Sequence, residues 1–239
     1  MSEAPAEQPV GKPVAFGGAT PPVHTELKGT HVVLRPIDPD GDAESLYAAS
    51  HAPSGDPRIW TYLYDGPYAD LENFRESLRE QAARHDYVFF AVADARHNRP
   101  LGIASYLSIV PEHGVIEIGN IWFSPELQRT PAATEAIFLL ARHAFDELGY
   151  RRLEWKCNAL NAASRRAALR FGFSFEGIFR QHMVVKGRNR DTAWYAITDT
   201  DWPAIRAGFR SWLAGENFDA EGRQRRSLEE LIARERAPD

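Results

Sequence analysis

Apolar residues along this chain change their spacing several times, and each change marks an element. Leu71, Phe74, Leu78 and Ala82 recur every three or four residues, which predicts a helix. The period then drops to two. "YVFFAVAD" and "LGIASYLSIV", joined at "ARHNRP", read as antiparallel strands, and "PEHG" turns the chain into a third, "VIEIGNIWF". Helical spacing returns over 131–148, where Ile137, Leu140, Ala144, Phe145 and Leu148 share a face and Gly149 supplies the stop. "RRLEWKCN" is a strand and "NAASRRAALRFGF" a short helix ending at Gly172. "FSFEGIFRQHMVV", the turn "KGRNRD" and "TAWYAITD" form a hairpin, and "DWPAIRAGFRSWL" is a closing helix. Upstream, "THVVLRPI" is a strand, and "DPDGDAESLYAAS" puts acidic caps before a short helix. The order is an α+β pattern with a parallel step around the long helix.

The ends differ from this body. Residues 1–27 are rich in Pro, Gly and Ala without periodicity and read as an extended arm. Residues 28–213 form the domain. Residues 214–239 are a tail in which "RQRRSLEELIARER" suits a further amphipathic helix with a solvated charged face.

Composition narrows the classes. The chain of 239 residues is 44% hydrophobic with a net charge of -5, and its mean hydropathy is -0.42. That fits a globular domain and argues against a protein that coats nucleic acid. Cys157 is the lone cysteine, so neither an intrachain disulfide nor a CxxC metal site can form; no metal is expected. No apolar run approaches the ~18 residues of a membrane span. The N-terminal residues lack a basic stretch followed by an apolar core, so a cytoplasmic protein without a membrane partner is expected.

The strand–turn–helix "GVIEIGNIWFSPELQRTPAATEA" places Gln128, Arg129, Thr130, Pro131, Ala132, Ala133 and Thr134 at the start of the long helix. Helix N-termini offer unpaired N–H groups and a positive dipole end, which suits phosphate. Pro131 removes one donor but fits the first helical position. With no glycine in the turn, a cradle here is expected to use ordinary helical backbone.

This run, followed by "EWKCNALNAASRRAALRFGFSFEGIFR", resembles the GCN5-related N-acetyltransferases (GNAT), within them the RimJ/RimL-like branch. The similarity extends from about residue 27 to residue 213. It implies a mixed, mostly antiparallel sheet splayed around a central strand with helices on both faces. It also implies acetyl-coenzyme A as donor and a small-molecule or peptide amine, such as a protein N-terminus, as acceptor. The family's usual turn, Gln/Arg-x-x-Gly-x-Gly/Ala, has lost both glycines here, at Pro131 and Ala133. A homo-oligomer is compatible with the resemblance, and so is a rival in which the chain only binds acyl-coenzyme A as a sensor or interaction module.

The resemblance also assigns roles. Gln128, Arg129, Thr130, Ala132, Ala133 and Thr134 would hold the pyrophosphate, with Asn161, Ser164 and Arg165 as further cofactor contacts. Backbone groups of Trp122 and Phe123 would meet the pantetheine amides. Glu117 matches a branch glutamate and is the expected base, since only a neutral amine attacks a thioester. His113 is a second candidate base. Many relatives carry a tyrosine that protonates the leaving thiolate; that position is Ala168 here, and Phe171 cannot donate, which leaves Ser164 or water. Asn120 and the aromatic loop residues Trp60, Tyr62 and Tyr64 would line the acceptor pocket. In the hairpin turn, Lys186, Arg188, Arg190 and Asp191 are either a solvated tip or a grip for an anionic acceptor.

Overall fold

A computed structural model describes residues 8–51, 53 and 55–237. Eight strands form one sheet in the order β1-β2-β3-β4-β5-β6-β8-β7. The strands are β1 (Leu27–Lys28), β2 (Val32–Pro36), β3 (Val88–Asp94), β4 (Pro100–Val110), β5 (Val115–Phe123), β6 (Arg152–Asn158), β7 (Ser174–Val185) and β8 (Arg188–Thr198). Every adjacent pair is antiparallel except β5 and β6. The sheet is thus the mostly antiparallel one expected.

Helices cover both faces. On one, α1 (Pro39–Ser50) and α2 (Leu71–Ala82) bury Leu46, Phe74 and Leu78 against Phe89, Ala91 and Ile103. On the other, α3 (Pro131–Arg142) shares a core with Phe90, Val92, Ala104 and Tyr106, and α5 (Trp202–Leu213) packs on α3, with Phe209 stacked on Phe138. The even and odd residues of β3 therefore feed opposite cores, as the period of two requires. The α-helix expected over 131–148 is shorter: it ends at Arg142 and widens into a π turn, His143–Glu147. Gly149 then takes a positive φ of 76°, which ends the element where the sequence put its stop.

Two anchors lie far apart in sequence. The buried Glu135 carboxylate of α3 accepts from the backbone N–H groups of Thr30, His31 and Val32 at 2.8, 2.6 and 3.2 Å, which clamps the β1–β2 turn to the helix. Beyond α5, α6 (Leu228–Arg236) starts with a capping box between Ser227 and Glu230 and packs on α5. A Cβ on Gly208 would lie 2.5 Å from Ile232, so the close approach of these two helices depends on that glycine. Residues 8–26 run extended, tied by Ala19 N–H to Pro111 and Thr20 N–H to Leu148.

One irregularity shapes the centre. Asn120 in β5 has φ 51°, and the β4 register slips there, with Gly119 opposite Ser105 but Trp122 opposite Ile103. This bulge reverses the side-chain alternation. Ile116 and Ile118 face the α3 core, whereas Trp122, also even-numbered, faces the α1/α2 core.

Candidate active site

The β5 and β6 strands pair only over Val115–Arg152, Ile116–Leu153 and Glu117–Glu154. Beyond Glu117 they diverge, and the gap opens into a cleft of ≈ 100 Å³. Glu117, Asn120, Lys156, Cys157, Asn161, Ser164 and Arg190 all contribute to its lining. Trp122 and Phe123 lie on the β5 edge that β6 no longer covers, although the Phe123 carbonyl already accepts from Gln128 Nε2 at 2.8 Å. Gln128 thus braces the turn from within. The Trp122 side chain is core, packed near Trp60.

The turn before α3 departs from expectation. Arg129 has φ 63°, so the backbone is left-handed at a non-glycine residue and not ordinary helix. The Thr130 hydroxyl caps the helix, accepting from Ala133 N–H at 3.2 Å and donating to the Leu127 carbonyl at 2.6 Å. Thr134 N–H bonds to the Thr130 carbonyl at 3.3 Å. The Ala133 and Thr134 amides, expected among the donors, are therefore already engaged. Those of Arg129, Thr130 and Ala132 have no partner among the described residues. Arg170 was not foreseen here: from α4 (Ala162–Arg170) its Nη1 donates to Thr134 Oγ1 at 3.1 Å, adding a guanidinium one turn into α3.

Glu117 sits where the strands part. In register it lies beside Glu154, a like-charge pair that needs cations. Lys156 supplies one, with Nζ 2.9 Å from Glu117 Oε2 and 2.7 Å from Glu154. Arg152 bonds to the other side of Glu154 at 2.8 Å. Lys156 Nζ also stands 4.1 Å from the centre of the Trp194 ring. Ser108, at a second bulge with φ 48°, donates to Glu117 Oε2 at 2.8 Å. All these bonds fall on Oε2, which leaves Oε1 beside Gly119 without a donor among the described residues. Burial pushes the Glu117 carboxyl above its ordinary value, against the opposing pull of Lys156 and Ser108. The Arg152, Glu154, Lys156 alternation was visible in "RRLEWKCN"; that it meets Glu117 was not.

At the far side of the gap, Asn161 caps α4, its Oδ1 accepting from Ser164 N–H at 3.0 Å. Ser164 Oγ accepts from Trp155 Nε1 at 2.9 Å, and its hydroxyl also neighbours the Cys157 thiol. Ala168 is fully buried and leaves no donor at the tyrosine position. Burial pushes the Cys157 thiol up, which disfavours a nucleophilic thiolate. Arg165 is tied to the Tyr195 hydroxyl at 3.1 Å and the Ala159 carbonyl at 3.3 Å, which leaves it little freedom to reach a phosphate.

The 57–68 loop and the β7–β8 hairpin close the cleft from outside. Tyr62 and Tyr64 line it as expected. Trp60 does not: it is buried, its indole N–H donates to the Ser50 carbonyl at 3.1 Å, and it packs on Tyr68 and Phe74. Asn120 lines the cleft with its amide turned to Ser105 at 3.0 Å. Lys186 grips carbonyls rather than an anion, bonding Trp60, Asp65 and Gly66 at 2.8, 2.9 and 2.6 Å. The Tyr62 hydroxyl reaches the Leu160 carbonyl at 3.2 Å. His113 is exposed in the turn before β5 and does not join the lining.

This arrangement has relatives. The model of the acetyltransferase (GNAT) domain family matches residues 31–174. An uncharacterised N-acetyltransferase of Bacillus subtilis (strain 168), YoaA, is 33% identical over 72% of this chain and 95% of its own length. The crystal structure of a GCN5-related N-acetyltransferase from Brucella melitensis is 43% identical with a TM-score of 0.87, covering 92% of this chain and 99% of that one. RimL, a ribosomal L7/L12 α-N-protein acetyltransferase solved in complex with coenzyme A, shares the fold at 22% identity and a TM-score of 0.61, over 73% of this chain and 98% of its own. The chain belongs to the GNAT acetyltransferase family and is an N-acetyltransferase.

Proposed function

We propose that this N-acetyltransferase moves the acetyl group of acetyl-coenzyme A to a primary amine by direct attack in a ternary complex. The observation that carries the reading is a buried carboxylate, Glu117, with one oxygen unengaged in the gap where β5 and β6 part. Three free amides at the start of α3, flanked by Arg129, support a pyrophosphate site. The uncovered edge of β5 near Trp122 supports docking of the pantetheine amides. The coenzyme A held by RimL, a protein of the same fold, supports the donor.

In this scheme Glu117 Oε1 takes a proton from the acceptor ammonium, directly or through water. The freed nitrogen forms its C–N bond at the thioester carbonyl as the C–S bond breaks. The attacking nitrogen then carries one proton too many and releases it, while the departing thiolate takes a proton from Ser164 or water. The proton the nitrogen gives up restores that donor, and the proton on Glu117 passes to solvent. The catalytic domain spans 28–213, between the 1–27 arm and the 214–239 tail, and stands with the RimJ/RimL-like branch in the cytoplasm. The test is an amine panel with acetyl-coenzyme A, monitored by released thiol. Acceptor-dependent release is expected; coenzyme A binding without any acceptor-dependent release would sink the reading.

A further inference from the structure

Arg190 is the charged residue of the cleft that the reaction leaves unexplained. It is only 6% exposed, yet its Nε and Nη1 have no hydrogen-bond partner among the described residues. Its nearest acid in sequence, Asp191, points to the other face of β8, where it accepts from Gln181 N–H at 2.7 Å and Asn189 Nδ2 at 2.9 Å. Its guanidinium lies against an aromatic face, with its carbon 4.9 Å from the centre of the Tyr64 ring. A guanidinium keeps its charge at any working pH, and burying one without an anion is costly. Because Arg190 lines the same cleft as Glu117 and Asn120, an anion arriving with a ligand would resolve that cost.

We propose that Arg190 is the anion receptor of the acceptor site, so that the acetylated amine belongs to a small molecule that also carries a carboxylate or phosphate. The inference rests on the acetyl-transfer reading above and names its acceptor class. Within the cleft, Glu117 offers a negative pole to the ammonium and Arg190 a positive pole to the anion, which matches a zwitterion end to end. The pyrophosphate is the less suitable source of that anion: none of residues 129–134, its proposed cradle, lines the cleft with Arg190, although Asn161 and Ser164 at the far side do. The bonds of Lys186 and Tyr62 hold the roof over the cleft, which favours a compact acceptor over a long chain.

The test compares amines in matched pairs, an amino acid against its amide and an aminoalkyl phosphate against the aminoalcohol, with wild type, Arg190→Gln and Arg190→Lys. In wild type, kcat/KM should favour one anionic member by about 10–100-fold, the range of a hydrogen-bonded charge. Which pair shows it distinguishes carboxylate from phosphate. Arg190→Gln should erase the preference, mainly through KM, and Arg190→Lys should restore part of it. Coenzyme A affinity, measured by calorimetry, should be unchanged in both variants. A wild type indifferent to the anion, or a preference that survives Arg190→Gln, overturns the assignment. Loss of coenzyme A affinity in Arg190→Gln also overturns it, by giving the anion to the cofactor. If no amine is acetylated, calorimetry of the same compounds on coenzyme A-loaded protein still decides: Arg190-dependent binding of the anionic members supports the receptor, and its absence ends it.

Discussion

The two sides of the cleft treat buried charge in opposite ways. On the β5–β6 side, Glu117, Glu154, Lys156 and Arg152 neutralise one another through bonds of 2.7–2.9 Å, with Ser108 completing the set. On the hairpin side, Arg190 is buried with two nitrogens that have no partner among the described residues. The first arrangement fixes geometry, because each charge holds the next. The second stores a cost that a ligand can remove, which is how binding sites commonly trade stability for function.

The comparison is broken most strongly at Glu117. Glu117→Gln keeps the shape and removes the basicity, and turnover should fall about 10²–10⁴-fold with little change in coenzyme A affinity. Near-normal turnover across pH would mean another group takes the proton.

Next in size is Lys156→Met, which leaves the buried Glu117 carboxylate without its cation, while Glu154 keeps Arg152. Losing one partner of such a network should cost about 3–5 kcal/mol, read from chemical denaturation. The pH dependence carries a sign. Because the folded value of Glu117 lies above its ordinary 4.5, its contribution to stability is fullest below pH 4.5 and declines as pH rises through the folded value. The ionised base appears over the same window, so the acidic limb of kcat should lie above pH 4.5. Lys156 pulls that value down, so Lys156→Met should move the limb to higher pH. An unmoved limb would separate it from Glu117.

Arg190→Met should act in the opposite direction and stabilise the unliganded protein by about 1–3 kcal/mol, since it removes an unsatisfied buried charge. A lower Tm would show that Arg190 is structural, like Lys156. The smallest effect is expected at the solvent-facing turn: Arg129→Ala should weaken coenzyme A binding by about 1–2 kcal/mol, with the fold unchanged. Unchanged affinity by calorimetry would remove Arg129 from the cradle.

Much of this was legible in the chain. The succession of strands and helices along the chain, the parallel step and the stop at Gly149 follow from periodicity and breakers, because those signals are local, whereas the β6-β8-β7 order in the sheet is not. So does the position of the α3 turn and of the Asn161 cap. The base candidate was legible only through its resemblance to a family motif. Trp60 is harder to read: it fills the α1/α2 core and also lines a second cavity beside Tyr64 and Asn120, and an aromatic loop looks the same in sequence in either role.

What the sequence by itself determined is therefore the set of elements, the family and the residues that begin each helix. Only the tertiary structure decided which charges are satisfied. Lys156 meets Glu117 because β6 pairs parallel to β5 across 39 residues of sequence, and Arg190 stays unpaired because β8 turns Asp191 to its other face. Arg129 adopts left-handed backbone that its residue type does not announce, and Asn120, a type that tolerates it, does so at a bulge no local pattern marks. The physical reason is common to all of these: a charge or a strained dihedral is priced by its surroundings, and those surroundings exist only once distant strands have paired.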